Sequence, residues 1–346
     1  MVNENELFNN LFDNYQINLK EEKICRFKIA NRNIVVKFNS PKLVYWFTIS
    51  LDFLKTEKFN DSDADLIIYV WENEFTDDMP QSFSKYADKM LWRGGFLYFK
   101  DNNIKFSYSH KPAYYQYYNK EQKTAFCCVN NEDELPFLHV CHPFRQILHW
   151  WAEDNNLILT HAAGLGLGSN NGVLLVAVGG SGKSTTSITA LLNGIGYVAD
   201  DYVLLEPEKQ IAHFIYSAGY LNPDMLARLP ELNKYIIGSD KTRNNKTLVN
   251  LINYKNRFIK ELKYSKLLFP VLQNGENKIF KSTEKLKALT ALAVSTTMQN
   301  EGWLNPQYMN KLLNAAKNLP VYQFNIVKDF KSNSCALKNF LLNKEQ

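Results

Sequence analysis

VGGSGKST, at residues 178–185, follows the apolar run VLLVAV (173–178) and leads into STTSITALLN (184–193), a stretch with helical character. A glycine-rich turn between a strand and a helix is the context in which a phosphate-binding loop (P-loop) works. Its glycines let backbone N–H groups turn inward, and the helix N-terminus adds a partial positive charge. The stretch therefore predicts a phosphate site in an α/β domain.

Each residue type in this loop has an expected contact. Lys183 would reach the β- and γ-phosphates of a nucleotide, and Ser184 would place its hydroxyl on Mg²⁺. The general pattern begins with glycine where this chain has Ala177. The alternative, a glycine-rich turn with an incidental Lys-Ser pair, is disfavoured by the flanking strand and helix. The residues predicted to bind the nucleotide are Gly179, Gly180, Ser181, Gly182, Lys183, Ser184 and Thr185.

Two adjacent carboxylates follow the next apolar run. Tyr197-Val198-Ala199 leads directly into Asp200 and Asp201, on the strand expected after the loop helix. One carboxylate could hold Mg²⁺ while the other takes a proton from an attacking hydroxyl. The alternative is a solvated Asp-Asp turn. No Asn-Lys-x-Asp tetrapeptide follows the loop, which argues against a regulatory GTPase.

A histidine and a few cations complete the candidate set. His161 ends the apolar run LILTH, and it would approach the phosphates if that run pairs with VLLVAV around the turn 170–172. A structural role is the alternative for this histidine. The polar segment 238–246 is a candidate loop over the site, in which Arg243 and Lys246 could neutralise phosphate charge, unless it is a solvated surface loop. The other arginines after the loop are Arg228 and Arg257.

Composition excludes several classes of protein. The 346 residues are 45% hydrophobic and 22% charged, which excludes a mainly disordered or fibrous chain. The net charge of +5 shows no basic block, so we expect no nucleic-acid partner. The N-terminal segment is polar and acidic, and no run of 18 apolar residues occurs, so we expect no membrane partner. Five cysteines without Cys-x-x-Cys spacing fit a reducing, cytoplasmic location.

Two domains are expected from the length and from a change in pattern along the chain. Residues 1–141 show hairpins around 31–33 and 100–103, a helix over 41–54, a buried strand at 66–71 and a further hairpin in the tyrosine-rich region after 113. An amphipathic helix from His142 would join this sheet-rich α+β domain to residues 142–346. The second domain alternates strands and helices, with helices over 283–294 and 306–319 and a last one from about Ser334.

The same residues resemble a known family. The order Thr160-His161-Ala162-Ala163, GVLLV (172–176), GGSGKSTT (179–186) and VADDYV (198–203) is similar to the catalytic domain of the HPr serine kinase/phosphorylase family and its relatives. Its P-loop architecture also resembles that of phosphoenolpyruvate carboxykinase. The resemblance covers about residues 157–206 and, more loosely, 266–295. It implies a fold of class α/β, an HPr-kinase-like P-loop domain with a mixed sheet after the sheet-rich N-terminal domain.

Residue roles carry over from this resemblance. Asp201 would match the carboxylate that deprotonates the acceptor serine, Asp200 its neighbour near the metal, and His161 the active-site histidine. Ser184 would be the hydroxyl ligand of Mg²⁺. The chain has neither the Glu-Ile-Arg-Gly nor the Pro-Gly-Arg-Asn segment of true HPr kinases, so the resemblance does not extend to HPr as the acceptor.

The sequence therefore predicts a kinase that uses ATP and Mg²⁺ to phosphorylate a hydroxyl, most plausibly that of a serine in a protein, a peptide or a small molecule. A peptide-tailoring kinase would share this chemistry. A nucleotide-binding switch or scaffold without transfer is the alternative from another class. The N-terminal domain would recognise the acceptor, and a homo-oligomer remains open.

Overall fold

The computed structural model describes residues 4–72, 89–91, 96–100, 103–110, 113–130, 135, 137–240, 245–275, 277–299 and 306–343. The chain divides into two compact units, residues 1–154 and 155–346. The boundary thus lies after Asp154, not after Cys141 as the sequence suggested. The helix Arg145–Asp154 belongs to the first unit because it packs on a strand of that unit and its Glu153 pairs with Lys105 there. None of the helices in these described ranges has the length and hydropathy of a membrane span.

The first unit is built on an eight-stranded mixed sheet. The strands are β1 Lys23–Ile29, β2 Arg32–Phe38, β3 Leu66–Glu72, β4 Lys89–Leu91, β5 Phe96–Lys100, β6 Ile104–His110, β7 Ala113–Asn119 and β8 Thr124–Val129. Their order in the sheet is β1-β2-β3-β8-β7-β6-β5-β4. Strand β3 runs parallel to both of its neighbours, which explains the continuous apolar run at 66–71. The helices are α1 Glu4–Ile17, α2 Pro41–Thr48, α3 Phe137–Cys141 and α4 Arg145–Asp154.

The three hairpins predicted for this unit are present, with two local corrections. The first turn is Ala30-Asn31 rather than 31–33, because Ile29 pairs with Arg32 and both turn residues have positive φ. The helix predicted over 41–54 ends at Thr48 and is followed by a 3-10 turn at Asp52–Leu54. The sequence prediction also missed α1, whose Leu11 and Tyr15 pack against Trp71 in an aromatic core.

The second unit contains a nine-stranded mixed sheet and a separate three-stranded sheet of order β15-β17-β16. Its first strands are β9 Ile158–Thr160, β10 Ala163–Gly166, β11 Gly172–Leu175, β12 Gly196–Ala199, β13 Val203–Glu206 and β14 Ile211–His213. The others are β15 Ala218–Leu221, β16 Ile236–Asp240, β17 Lys246–Asn250, β18 Glu261–Leu272, β19 Lys278–Lys281 and β20 Val321–Ile326. The chain is thus a mixed α/β protein with mixed sheets, as the sequence predicted at that level.

The described residues of the second unit also form five α-helices. They are α5 Lys183–Leu192, α6 Pro223–Ala227, α7 Lys285–Gln299, α8 Pro306–Asn314 and α9 Phe330–Leu341. The helix α8 ends five residues earlier than its pattern suggested. The helix α9 begins four residues earlier, because the Asp329 side chain accepts hydrogen bonds from the backbone N–H groups of Lys331 and Ser332 as an N-cap.

Strand direction brings the two predicted motifs to one edge of the sheet. Strand β10 runs antiparallel to both β11 and β12, so β11 and β12 point the same way. The segment 178–185 follows β11, and Asp200 follows β12. Both motifs therefore leave the sheet at the same edge, although Asp200 comes 15 positions after Thr185 in the chain.

Candidate functional site

The segment 178–185 forms a tight connection between β11 and α5. Gly180 and Gly182 have φ values of 81° and 89°, a left-handed region that glycine enters without strain. Behind the loop, a Cβ on Gly182 would meet the end of the Ile326 side chain, so a larger residue would also have to push that side chain aside. The Ser181 hydroxyl donates to the carbonyl oxygen of Val178 at 2.7 Å, which closes the loop on itself.

The Lys183 side chain lies within the site rather than in solvent. Its Nζ donates to the backbone oxygen of Asp200 at 2.8 Å and lies 3.4 Å from Asp201 Oδ1. One amine therefore ties the start of α5 to the end of β12.

The two adjacent carboxylates have different surroundings. The Asp200 side chain is buried, and its Oδ1 accepts a hydrogen bond from the Ser187 hydroxyl at 2.8 Å. Burial raises the pKa of Asp200, and the nearby Asp201 charge adds to this, while Lys183 and the hydroxyls of Ser187 and Ser184 oppose it. The Asp201 side chain is 27% exposed. The inner carboxylate is thus costly to ionise, whereas the outer one is open to solvent.

His161 reaches Asp201 by a route that the sequence analysis did not foresee. The prediction that its strand pairs with VLLVAV is wrong, because β9 pairs with β13 and the separate strand β10 pairs with β11. In this antiparallel pair, Thr160 lies opposite Val203. His161, the next residue, therefore lies beside the residues just before β13. Its Nε2 lies 2.5 Å from Asp201 Oδ1, within hydrogen-bonding distance of that carboxylate.

Three residues that the sequence analysis did not single out help to shape the site. Ser187 holds Asp200, and the Thr296 hydroxyl accepts from the backbone N–H of His161 at 3.2 Å. The Tyr202 ring lies 5.7 Å from the imidazole. The position of Ser187 one helical turn after Lys183 could have identified it, whereas Thr296 comes from a distant helix and has no local signal.

The described arginines that follow the loop, and Lys246, are dispersed, although Arg243 and Lys246 were the two cations predicted to reach phosphate. Arg257 donates to the carbonyl oxygens of Leu191 and Leu192, which caps the C-terminus of α5. The Arg228 guanidinium stacks 3.7 Å from the centre of the Phe330 ring. Lys246 starts β17 with its Nζ over the Tyr220 ring at 5.1 Å. Arg243 lies outside the described residues.

The donor set at this edge fits a hard divalent cation. Mg²⁺ prefers oxygen ligands and is commonly held by one or two protein groups together with phosphate oxygens and water. The Ser184 hydroxyl and the Asp200 carboxylate are such groups, and the hydroxyl lowers the pKa of the carboxylate. No cluster of three or more His, Cys, Asp or Glu side chains suited to a metal occurs in the described ranges.

Comparison with known proteins gives a limited result. No protein-family model matches the chain. No curated protein matches it significantly either. Among solved structures, the HPr(Ser) kinase/phosphatase from Coxiella burnetii is similar over 54% of this chain and 91% of its own, with 12% sequence identity and a TM-score of 0.30.

Proposed function

We propose that the second unit binds a nucleoside triphosphate with Mg²⁺ and transfers the γ-phosphoryl group to a hydroxyl, most plausibly that of a serine. The observation that carries the proposal is the convergence of Lys183, Asp201 and His161 at the sheet edge where segment 178–185 leaves β11. A lysine and a solvent-accessible carboxylate beside a glycine-rich helix N-terminus are parts that recur in phosphoryl-transfer sites, and here an imidazole contacts the carboxylate.

The loop would hold the phosphates. The backbone N–H groups of Gly179–Lys183 and the N-terminus of α5 supply dipoles directed at anionic oxygens, and the Lys183 amine supplies a full charge. Ser184 and Asp200 are the residues that would hold Mg²⁺. When bound, the cation offsets negative charge on the phosphate oxygens.

Asp201 is the group that we assign to proton transfer. As the acceptor oxygen forms its bond to the γ-phosphorus, the bond from that phosphorus to the β,γ-bridging oxygen breaks, and the nucleoside diphosphate leaves with the electron pair. The hydroxyl proton passes to the Asp201 carboxylate. His161 would orient this carboxylate through the 2.5 Å contact, and its own backbone is held by Thr296. Asp200 is less suited as the base because it is buried and bound to Ser187.

The test is transfer of label from γ-labelled ATP with Mg²⁺ in the presence and absence of a host extract. We expect wild-type protein to label an acceptor and Asp201→Asn to lose at least about 100-fold of that rate, the lower range for a positioned general base. Glu208→Gln is the matched control because it replaces an exposed carboxylate in the same unit with an amide. Its rate should stay within about twofold of wild type.

Two other outcomes would reject or reassign the function. If nucleotide binds with normal affinity but no label moves with any extract, the kinase assignment fails and the switch or scaffold alternative stands. If Asp201→Asn retains the wild-type rate of transfer, another group takes the proton.

A further inference from the structure

The strand that leads to His161 lies at one end of the larger sheet. In the part of the chain that the structure describes, β9 comes last in the order of that sheet, with β13 as its neighbour. Its three residues are buried. An edge strand has a strand partner on one side only, so its buried backbone groups on the other side need partners of another kind.

Two side-chain hydroxyls act as such partners. The Tyr308 hydroxyl, in the first turn of α8, donates to the carbonyl oxygen of Leu159 at 2.6 Å. The Thr296 hydroxyl, in the last turn of α7, accepts from the backbone N–H of His161 at 3.2 Å. Both side chains are buried, and α8 packs against β9 and against α7. The strand and the histidine that follows it are therefore held at two points, two residues apart.

These two bonds act on the segment that brings the imidazole to the site. Asp201 lies between β12 and β13, and its Oδ1 is 2.5 Å from Nε2 of His161. A hydrogen bond weakens steeply when its distance or angle departs from the favoured range. The position of β9 therefore decides whether the imidazole reaches the carboxylate.

We infer that Tyr308 and Thr296 are positioning residues of the candidate site, since they fix β9 so that His161 meets Asp201. The inference rests on the proposed function, and it adds to that function a support built from two helices. Both hydroxyls act through His161. A misplacement of about 1 Å can cost about 100-fold in rate, so loss of either hydroxyl should lower the rate of transfer without changing nucleotide binding.

The first test measures transfer from γ-labelled ATP to the acceptor in a host extract by Tyr308→Phe, which removes only the hydroxyl. We expect the rate at saturating ATP to fall about 10- to 100-fold, while the KM for ATP stays within about twofold. A variant that keeps the wild-type rate of transfer would overturn the inference.

Tyr264→Phe is the matched control. The buried Tyr264 hydroxyl also donates to a backbone oxygen of this unit, that of Ala315. Tyr264 lies beside Gly172 at the start of β11, whereas the phosphate loop follows the end of that strand. Thermal melts of the two variants should show similar losses of stability, because each loses one buried hydrogen bond, but only Tyr308→Phe should lose activity.

A double-mutant cycle shows whether Tyr308 acts through His161. In a His161→Gln background, Tyr308→Phe should change the rate by less than about twofold, because the imidazole that the tyrosine positions is absent. An equal loss in both backgrounds would overturn the inference, since the tyrosine would then act independently of His161. Thr296→Val should lower the rate as Tyr308→Phe does, and Thr296→Ser, which keeps the hydroxyl, should restore most of it.

NMR of labelled imidazoles gives a readout that needs no transfer. The chain has six histidines, and the signal of His161 is the one lost in His161→Gln. This signal should shift in Tyr308→Phe and stay in place in Tyr264→Phe. If wild-type protein moves no label, the kinase proposal fails, while a shifted signal still assigns the positioning role. A signal that stays in place in Tyr308→Phe would overturn the inference whatever the fate of the kinase proposal.

Discussion

Each of the two units contains a buried lysine beside two adjacent acidic residues, and the two clusters differ in how the charges are arranged. In the first unit, Lys105 Nζ lies 3.1 Å from Glu153 and 3.6 Å from Asp154. In the second, Lys183 Nζ lies near Asp201 but bonds to the backbone of Asp200 rather than to its carboxylate. The side chains of Lys105 and Lys183 are 5% and 6% exposed.

The surrounding groups account for this difference. Asp154 also pairs with Lys120 at 3.2 Å and hydrogen-bonds Tyr118, whose pKa is raised by burial and by that carboxylate. In this first cluster, each carboxylate therefore pairs with at least one lysine. In the second cluster, the Asp200 carboxylate accepts a hydrogen bond from the Ser187 hydroxyl instead of pairing with the lysine. Burial raises the pKa of this carboxylate, although the hydroxyl opposes the rise. Both clusters contain a buried lysine. The candidate site differs because the Asp200 carboxylate bonds Ser187 rather than its lysine.

The largest effect on stability should come from Lys105→Met. This change leaves Glu153 and Asp154 without their buried cation, and breaking a buried ion pair from one side costs about 3–5 kcal/mol in the free energy of unfolding. Chemical denaturation measures the loss. The control is Lys120→Met in the same cluster, where the lysine is half exposed and the expected cost is below about 1 kcal/mol. Equal effects of the two substitutions would show that burial does not set the strength of this cluster.

Lys183→Met should affect activity far more than stability. The amine is the only full charge that the loop offers to phosphate, so we expect label transfer to fall about 100- to 1,000-fold, the range for losing one aligned electrostatic contact. Nucleotide affinity, measured by calorimetry with Mg²⁺, should fall as well. A variant that unfolds as readily as Lys105→Met, or one that keeps its rate of transfer, would make the two lysines equivalent and remove the basis of the comparison.

Asp200→Asn should stabilise the fold by about 1 kcal/mol at neutral pH. A raised pKa means that the stabilising contribution of Asp200 is present below its unfolded value of 3.8 and is lost as pH rises through the folded value. An amide does not ionise, so the variant avoids the cost of burying a charge. It should therefore melt at a higher temperature than wild type at pH 7, and this gap in melting temperature should close toward pH 4. Melting curves from pH 3.5 to 8 test this, and a gap that widens on acidification would contradict it.

Much of this arrangement could be predicted from local sequence, because strands, hairpins and the glycine-rich connection depend on neighbouring residues. The segment 178–185 and its flanking elements lie as the sequence indicated. His161 was expected near the loop if its strand paired with VLLVAV. The strand pairs with β13 instead, and this pairing depends on tertiary packing that local periodicity does not encode. The roles of Arg257 as a helix cap and of Thr296 as a support for His161 depend on contacts between distant parts of the chain.

The contact between Ile326 and Gly182 has a consequence for the order in which the protein acquires its shape during synthesis. The loop emerges from the ribosome early, but β20, which carries Ile326, is made about 140 residues later and then pairs with β18 within the sheet. Chains grow at about 5–20 residues per second, so for roughly 7–30 s the loop is exposed without the strand that lies behind it. The Ile326 side chain is therefore in place behind the loop only after β20 has joined the sheet.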